Sequence, residues 1–520
     1  MHIPDKILKW ISTKNWTLYE HQIKMFANSE CSAQLLIAPT GSGKTLAGFL
    51  PTIADLYLNR SPTLHTLYIS PLKALASDIK RNLEAPISEL KLNITVEDRT
   101  GDTKQSLKKK QRVIPPNILL TTPESLALLM SYPEAPRIFS TLKRIVVDEI
   151  HAITESKRGD QLFLALSNIR KYCQNVKIIG LSATVNDPSL IAGWLTPECD
   201  CDIIFADSGL DPDVSILETS EPPPWAGSGG LYSIPEVINE IEKHKTTLIF
   251  HNTRAQAEIF FHNLWLANSE NLPIAIHHGS LDKNQRKQVE ASMVRGDLQA
   301  VVCTGSLDLG IDWGSVDLVI QIGAPRQVKR LVQRIGRANH SHSGVSKALI
   351  VPANRLEVLE CFMALEAIYE NKLDSELQTS IPLDVICQHL LLVACAGPFQ
   401  PVDIFNEIRS ITKYKNLTRV EFDKCLDFCI TGGYALKKYE QWHRLVETSD
   451  GYVKLRDPRI ANRLRMNAGT IQDSDTLKVK YKSKHGKSKG SSIGEVEEAF
   501  AISLTPCLLY TSPSPRDFTE

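Results

Sequence analysis

Short apolar runs, each ending in glycine-rich or polar residues and followed by a stretch with helical spacing, recur from Gln34 to Gly323. QLLIA leads into APTGSGKT, RIVV into DEIH, and KIIGL into SAT. The runs TTLIF, QAVVC and LVIQI repeat the alternation in a second half. Strands that alternate with helices are typical of a parallel sheet covered by helices. The pattern therefore predicts two α/β halves in tandem.

Beyond Asn354 the apolar spacing becomes helical. EVLECFMALEAIYENKL and PLDVICQHLLLVACAG carry apolar residues three and four positions apart, as in helices with one buried face. FNEIRSIT and TRVEFDKCLDFCITGGYAL predict two short helices followed by a Gly-Gly turn. An aromatic stripe in this region, Phe422, Phe428 and Tyr434, is of a kind that more often belongs to the core than to a platform that stacks bases.

Composition places the chain among ordinary globular proteins, with 42% hydrophobic and 23% charged residues. No apolar stretch approaches the roughly 20 residues of a membrane span, and charges interrupt the amino terminus where a signal peptide is apolar. We therefore expect a cytoplasmic protein without a membrane partner. The eleven cysteines lack the paired spacing of a metal site and are predicted to be reduced thiols.

Charge is unevenly distributed although the formal net charge is zero. Between Gly451 and Gly490 there are 11 Lys or Arg against three Asp, a local charge of +8. Such a segment attracts polyanions. A solvated loop of linker composition, KSKHGKSKGSS, is the alternative interpretation.

APTGSGKT, between an apolar strand and a helical pattern, has the composition of a phosphate-binding loop. Backbone N–H groups at the start of a helix form an anion nest. The lysine would reach the outer phosphates, and the hydroxyl of Thr45 would take a place on Mg²⁺. The predicted nucleotide-binding residues of this loop are Thr40, Gly41, Ser42, Gly43, Lys44 and Thr45.

DEIH follows the strand pattern RIVV, which places two carboxylates at the end of a buried strand. Buried carboxylates are costly unless they serve a cation. Asp148 would hold Mg²⁺, Glu149 would orient and deprotonate the attacking water, and His151 would link the site to the following elements.

Two further motifs bear on the nucleotide. Ser182 and Thr184 in SAT would form a hinge that senses it, or an ordinary strand end. The helical stretch RLVQRIGRANH carries Gln333, Arg334 and Arg337. An arginine from the second half can reach the γ-phosphate of a nucleotide on the first, and such a finger contributes about 10³ to 10⁵ in rate.

The ordered set APTGSGKT, TTPES, DEIH, SAT, TGSLDLGID and QRIGRA resembles a superfamily 2 nucleic-acid helicase with two RecA-like domains. The resemblance implies that Gln22 reads adenine, that Gly310 and Asp312 contact the cofactor ATP, and that Arg337 is the finger. The motif departs from many relatives in having Asn339 and His340 where they have a second arginine. The implied nucleic-acid contacts are Pro71, Lys73, Arg99, Thr100, Gly101, Thr121, Thr122, Asn252, Arg254, His278, Gly279 and Thr304.

Longer segments, including RTGDT, VVDEIHAITESKRGDQL, QRIGRANH, CAGPF and GEVEEAF, resemble the Lhr group and its bacterial ligase-associated branch. That resemblance implies an ATP-driven translocase moving 3′ to 5′ on single-stranded DNA, unwinding DNA or RNA:DNA duplexes. It also implies a DNA repair role, a functional link to an ATP-dependent DNA ligase, and association with the nucleoid when DNA is bound.

The predicted domains are two RecA-like domains at 1–208 and 209–365, a winged helix at 366–445, and the start of a truncated β-rich carboxyl domain at 446–506. The remaining residues 507–520 do not fit this family. CLLYTSPSPRD resembles a translated transposon-type sequencing adaptor. We expect it to be an artefact, with the family's carboxyl domain continuing beyond Pro506.

Other functions stay open at this point. The chain could be an RNA helicase, or a passive nucleic-acid-binding module if loss of its carboxyl end uncouples the motor. A transporter or partner-remodelling ATPase is disfavoured because QRIGRA and TTPES have no purpose there and no LSGGQ-like segment occurs.

Overall fold

The computed structural model describes residues 3–470 and the backbone of two later strands. Within that range positions 40, 60, 62, 155, 184, 186, 197–199, 208–209, 226–228, 308–315, 339–343, 371 and 375–379 are not described. The terminal segment 507–520, interpreted above as an artefact, lies outside the described residues. None of the helices in the described part of the chain combines the length and apolar character that a membrane crossing requires.

The first domain is a seven-stranded sheet in which all paired strands are parallel, in the order β3-β4-β2-β5-β6-β1-β7. Its central strands are buried on both faces, which explains their nearly continuous apolar sequences. The strands are β1 Ala33–Ile37, β2 Thr66–Ile69, β3 Val96–Arg99, β4 Ile118–Thr121, β5 Arg144–Val147, β6 Lys177–Ser182 and β7 Cys201–Phe205.

Helices cover both faces of this sheet and form two apolar clusters, one on each side. These helices are α1 Asp5–Thr13, α2 Glu20–Ala27, α3 Lys44–Leu58, α4 Lys73–Glu89, α5 Gln105–Val113, α6 Pro123–Met130, α7 Ala135–Phe139, α8 His151–Thr154, α9 Lys157–Arg170 and α10 Pro188–Leu195.

The second domain has a six-stranded sheet, also parallel, in the order β10-β11-β9-β12-β13-β8. It too has an apolar cluster on each face. Its elements are β8 Asp213–Ile216, α11 Ile234–Lys243, β9 Thr247–His251, α12 Arg254–Ala267, β10 Ile274–His277, α13 Lys283–Arg295, β11 Ala300–Cys303, β12 Leu318–Ile322, α14 Val328–Ile335, β13 Lys347–Val351 and α15 Glu357–Tyr369.

A third, mainly helical domain follows, with a short antiparallel pair β14–β15 whose Val453 bridges to Phe399. Its elements are α16 Leu383–Ala396, α17 Pro401–Ser410, α18 Arg419–Thr431, α19 Gly433–Leu436, β14 Leu445–Glu447, β15 Val453–Leu455 and α20 Ala461–Met466. A second antiparallel pair, β16 Thr476–Val479 and β17 Gly494–Glu497, follows. The predicted fold class is confirmed, whereas the predicted domain boundaries stay predictions.

The predicted aromatic stripe is wrong for two of its three members. Phe422 is fully buried, but Phe428 is 56% exposed and Tyr434 completely exposed. Six positions along α18 correspond to about 600° of rotation, so Phe428 lies on a different face from Phe422. Gly432 ends α18 with a φ of 78°, and Tyr434 therefore belongs to the next short helix.

The third domain packs directly on the first. The apolar cluster on one face of the first sheet continues into α16, α17, α18 and the β14–β15 pair. At its edge Asp160 of α9, 1% exposed, pairs with Lys413 Nζ at 2.7 Å. The hydroxyl of Tyr414 donates to the same carboxylate at 3.1 Å. The first and third domains therefore share one core and a buried ion pair.

Replacement of Lys413 by Met should destabilise this docking. Asp160 would keep a buried charge without its cation, and such losses cost about 3–5 kcal/mol. We expect a clear fall in the thermal midpoint of the full chain, measured by calorimetry.

Asp423→Asn is the matched control, because Asp423 pairs with Arg419 at an exposed site and such pairs contribute at most about 1 kcal/mol. Equal midpoints for Lys413→Met and Asp423→Asn would contradict the role given to the buried pair.

Candidate functional site

The glycine-rich loop lies between β1 and α3, at the carboxyl edge of the first sheet. Gly41 and Gly43 have φ angles of 80° and 73°, in the left-handed region that glycine adopts readily. A Cβ on Gly43 would lie 2.5 Å from Nε2 of Gln22. The loop can follow this path only with glycine at position 43. It delivers the chain to the N-terminus of α3, where backbone N–H groups and the helix dipole favour a phosphate.

The segment before β1 is fastened to this loop. Gln22 donates from Nε2 to the carbonyl oxygen of Gly43 at 3.1 Å, while its Oε1 accepts from the backbone N–H of Tyr19 at 3.0 Å. His21 Nε2 lies 2.9 Å from the carbonyl oxygen of Ser42. The predicted adenine-reading Gln22 is thus adjacent to the predicted phosphate loop.

Lys44 and Thr45 begin α3, so their side chains leave the helix at its phosphate-binding end. The Lys44 ammonium donates to the carbonyl oxygen of Ala38 at 3.0 Å, within the loop. Ser42 Oγ donates to the carbonyl oxygen of Pro39 at 2.7 Å, which stabilises the loop itself. These contacts place the lysine charge within the loop, where a bound anion would meet it.

The two predicted acidic residues follow β5 and are almost completely buried, with Asp148 5% and Glu149 6% exposed. The hydroxyl of Tyr68 on β2 donates to Asp148 Oδ2. The backbone N–H of Glu149 donates to Asp148 Oδ1 at 2.8 Å. Burial, together with the charge of Glu149, raises the pKa of Asp148 to about 6. A buried carboxylate of this kind suits a cation.

Tyr68 belongs to the candidate site, and the sequence pattern did not indicate it. Tyr68 lies within an apolar strand, matches the pattern of a core residue and is 0% exposed. Its hydroxyl could have indicated a polar neighbour, because a tyrosine in a strand that is buried on both faces needs a hydrogen-bond partner.

Glu149 adopts an unusual backbone conformation, with a φ of 46°. Its carboxylate lies 3.5 Å from His151 Nε2. Burial raises the pKa of Glu149, but the charge of Lys44, the adjacent His151 ring and the charge of Arg337 outweigh that effect and lower it overall. The glutamate is therefore held ionised, as a residue that accepts a proton from water must be.

His151 connects the acidic pair to the end of β6. Its Nδ1 accepts a hydrogen bond from the backbone N–H of Ala183 at 3.2 Å and lies 3.2 Å from Ser182 Oγ. Because Nδ1 accepts, the ring proton is on Nε2 and faces Glu149. Burial lowers the pKa of His151 to about 4, so the ring is neutral near pH 7.

The second domain brings an arginine to this site. Arg337, 2% exposed, is near enough for its charge to lower the pKa of Glu149. Arg334 faces its own domain, donating to Gln321 Oε1 at 2.5 Å and lying 4.8 Å from the ring centre of Phe250. Gln333 is half-buried on the same helix, α14. The two predicted arginines therefore differ in their surroundings: Arg337 acts on Glu149 of the first domain, and Arg334 contacts Gln321 and Phe250 of its own domain.

The predicted nucleic-acid residues cluster at the carboxyl ends of strands in both sheets, and some are exposed there. Lys73 is exposed and pairs with Asp102 at 3.0 Å. Arg254 is exposed and donates to Ser280 Oγ at 2.6 Å. Gly101 and Gly279 are exposed beside them. These four residues can meet a phosphate directly.

The other predicted contacts have side chains turned inward. Arg99 is 4% exposed and donates to the carbonyl oxygen of Lys108 at 2.9 Å. His278 is 2% exposed, with Nε2 3.1 Å from Glu258 Oε1. Both side chains support their loops through these contacts, and their contact with nucleic acid stays a prediction. The remaining inward or half-buried members are Pro71, Thr100, Thr121, Thr122, Asn252 and Thr304.

Arg158, in the segment RGDQ, is another residue whose contacts the sequence did not reveal. Its Nε donates to Glu124 Oε1 at 2.5 Å, and its Nη2 donates to the carbonyl oxygen of Pro71 at 2.8 Å. It therefore joins the loops TTPE and SPLK from the start of α9. Its partners are distant in sequence, so no local pattern predicts them.

Five predicted site positions lie outside the described residues: Thr40, Thr184, Gly310, Asp312 and His340. Their expected roles stay predictions.

Three family models match consecutive parts of the chain. They are the DEAD/DEAH box helicase at residues 19–191, the helicase conserved C-terminal domain at 232–341, and the winged helix domain of the large helicase-related protein at 366–508. An ATP-dependent helicase Lhr-Core protein 2 of Thermococcus barophilus is 34% identical across 97% of this chain. The chain belongs to the Lhr family of superfamily 2 helicases.

Other Lhr proteins give the same result. An ATP-dependent helicase Lhr-Core of Sulfolobus acidocaldarius is 34% identical across 91% of the chain. A structure of the Lhr helicase of Mycobacterium smegmatis, bound to ssDNA and AMP-PNP, has a TM-score of 0.82 at 31% identity, covering 91% of this chain and 63% of that one. The chain spans 61% and 55% of the length of the two curated Lhr relatives. Membership of the ligase-associated branch stays a prediction.

Tyr68→Phe should weaken the Mg²⁺ binding that the sequence predicts for Asp148. The change removes one hydroxyl, so Asp148 keeps its burial but loses a fixed donor. Losing such an outer partner of a metal ligand typically costs about 10- to 100-fold in metal affinity or activity. We expect the half-saturating Mg²⁺ concentration for ATP hydrolysis to rise by about tenfold.

Tyr57→Phe serves as the control, since Tyr57 is a half-buried residue on α3. The same Mg²⁺ dependence in Tyr68→Phe and in the parent chain would show that the hydroxyl does not position Asp148.

Proposed function

We propose that this protein is a nucleic-acid-stimulated ATPase that translocates on a single strand and separates duplexes. The observation that carries the proposal is the composite site, in which Arg337 of the second domain acts electrostatically on Glu149 of the first. Hydrolysis at such a site depends on how the two domains are arranged. ATP turnover can therefore drive their relative movement.

The residues of the first domain have distinct tasks in this proposal. The loop from Gly41 to Lys44 binds the phosphates, and Gln22 lies where it can read the base. Glu149, held ionised, orients the attacking water and accepts its proton. The hydroxyl of Thr45 and the carboxylate of Asp148 are the groups that would hold Mg²⁺, which would supply positive charge against the phosphates.

Arg337 would stabilise the charge that develops on the γ-phosphate. His151 joins the site to the SAT segment through the backbone N–H of Ala183. After His151 the chain runs through α8 into α9, whose Arg158 is bonded to both TTPE and SPLK. A continuous set of packed elements thus connects the nucleotide to the strand-gripping loops.

The exposed groups at the carboxyl edges suit the phosphates of a strand and ignore its bases. Single-stranded DNA is the proposed substrate, supported by the Mycobacterium smegmatis Lhr structure bound to ssDNA and AMP-PNP. Movement from 3′ to 5′, unwinding of DNA or RNA:DNA duplexes, a repair role, the ligase link and nucleoid association are proposed from the resemblance to the Lhr group.

Glu149→Gln should retain ATP binding and lose hydrolysis, because the amide cannot accept the proton from water. We expect strand-stimulated turnover to fall by at least about 100-fold. Strand displacement should cease on tailed DNA and RNA:DNA duplexes. Duplexes with 3′ and with 5′ tails, tested side by side, reveal the direction of movement.

The parent chain provides the decisive comparison. If single-stranded DNA and RNA both left its ATP hydrolysis unchanged, the proposed function would be wrong. Stronger stimulation by RNA, with displacement only of RNA duplexes, would replace DNA by RNA as the substrate.

Arg337→Ala should lower the turnover number by about 10³-fold or more while ATP binding persists. ATP binding should persist because the guanidinium acts on the charge that develops during hydrolysis, whereas the first domain binds the nucleotide. Arg334→Ala should differ, since loss of its contacts with Gln321 and Phe250 also lowers the thermal midpoint of the chain.

Arg355→Ala, which removes an exposed side chain lying over Trp225, is the control for turnover. A full rate in Arg337→Ala would exclude the arginine finger.

A further inference from the structure

The helix α15 of the second domain is apolar on two opposite sides. Cys361, Ala364 and Ile368 pack into the core of that domain and are at most 6% exposed. On the opposite side Leu359 is 69% and Met363 53% exposed. A helix that is apolar all round normally lies in a protein interior. The outer side of α15 is therefore a candidate contact surface.

The exposed apolar side chains of α15 form one stripe. Positions 356, 359, 362, 363 and 369 fall within about 140° of one another around the helix axis. Trp225 lies at the amino-terminal end of this stripe, because the guanidinium of Arg355 is 4.7 Å from its ring centre. We call this surface the α15 face. Its large apolar members, all more than half exposed, are Trp225, Leu356, Leu359, Phe362, Met363 and Tyr369.

Hydrogen bonds at both ends hold α15 in place. At its start the carboxylate of Glu357 accepts from the backbone N–H groups of Ala324, at 2.8 Å, and Ala353, at 3.2 Å. At its end the hydroxyl of Tyr369 donates to the carbonyl oxygen of Val214 on β8 at 3.1 Å. A surface fixed in this way loses little conformational entropy when a partner binds to it.

Opposite charges lie at the two ends of the α15 face. Arg355 is exposed at the amino-terminal end, and Glu366 is exposed at the carboxyl-terminal end. Glu366 follows Leu359 by seven positions, so it lies within about 20° of Leu359 around the helix. The face thus has a cation at one end, an acid at the other and apolar side chains between them. Such a surface is complementary to itself after a rotation of 180°.

We propose that the α15 face binds the same face of a second copy of this chain, with the two helices antiparallel about a two-fold axis. An axis midway between Leu359 and Phe362 brings these two residues together across the dimer. Arg355 and Glu366 are equally far from that midpoint in sequence, so each Arg355 comes opposite Glu366 of the other copy.

Charge favours this orientation over the parallel one. Parallel helices would place Glu366 against Glu366, and like charges in contact oppose binding. A dimer in which both copies use the same patch is also the commonest form of soluble oligomer. The proposal goes beyond the proposed function and does not rest on it.

The first test measures the mass of the full chain by sedimentation equilibrium across the micromolar range, without nucleotide or nucleic acid. The apolar variant is Leu359→Gln with Met363→Gln. Its matched control is Leu266→Gln with Val294→Gln, which replaces exposed apolar side chains on α12 and α13, outside the α15 face. Parent and control should dimerise, and the apolar variant should do so at least about tenfold more weakly.

Charge reversal tests the orientation. Arg355→Glu brings two acids together at each end of the dimer, and Glu366→Arg brings two cations together there. Each variant alone should therefore bind itself about tenfold or more weakly. An equimolar mixture of the two should recover the parent affinity, because both contacts of the mixed dimer again join a cation to an acid. Damage to the fold would not be repaired by mixing, and circular dichroism checks that each variant keeps its helices.

A parent chain that stays monomeric throughout this range would overturn the proposal, and that result is expected if a different protein covers the α15 face. Equal dissociation of the apolar variant and its control would also overturn it. Unchanged dimerisation of either charge variant, or a mixture that does not recover, would contradict the antiparallel pairing. Strand-stimulated ATP hydrolysis is a separate measurement, so a failed motor and a failed dimer can be told apart.

Discussion

Burial of both faces of two parallel sheets is the constraint on which this architecture depends. Strands covered on each side leave no room for polar chemistry along their length, so functional groups gather where the strands end. Lys44, Glu149 and His151 follow that rule in the first domain, and Arg254 and Gly279 follow it in the second. Once each sheet presents its carboxyl edge, the proposed contacts with the nucleotide and the strand fall to loops and the starts of helices.

The segment RGDQ shows how one short stretch supports several of these loops. Arg158 bonds to Glu124 and to the backbone of Pro71. Asp160 pairs with Lys413 of the third domain and accepts a hydrogen bond from Tyr414 of the same domain. Gln161 donates from Nε2 to the carbonyl oxygen of Ala468 at 2.6 Å. One turn of α9 therefore holds the loops TTPE and SPLK on one side and docks the third domain on the other.

Features formed by residues close together in the chain could be predicted from the sequence. The phosphate loop and DEIH depend on neighbours in the chain, so their places in the fold followed from strand and helix patterns. Tyr68 and Arg158 depend on partners far along the sequence, which no periodicity encodes. The prediction that Phe428 and Tyr434 are buried was wrong for a related reason. The spacing of aromatic residues does not reveal which face of a helix has a neighbour to pack against.

The shared core of the first and third domains also has a consequence for synthesis. The last helix of the first domain ends at Leu195, whereas the helix that covers its open face begins at Leu383. A ribosome adding about 5 to 20 residues per second needs roughly 10 to 40 seconds to cross that interval. During that time the nascent chain presents an unfinished apolar surface, and the whole second domain must emerge before it is covered.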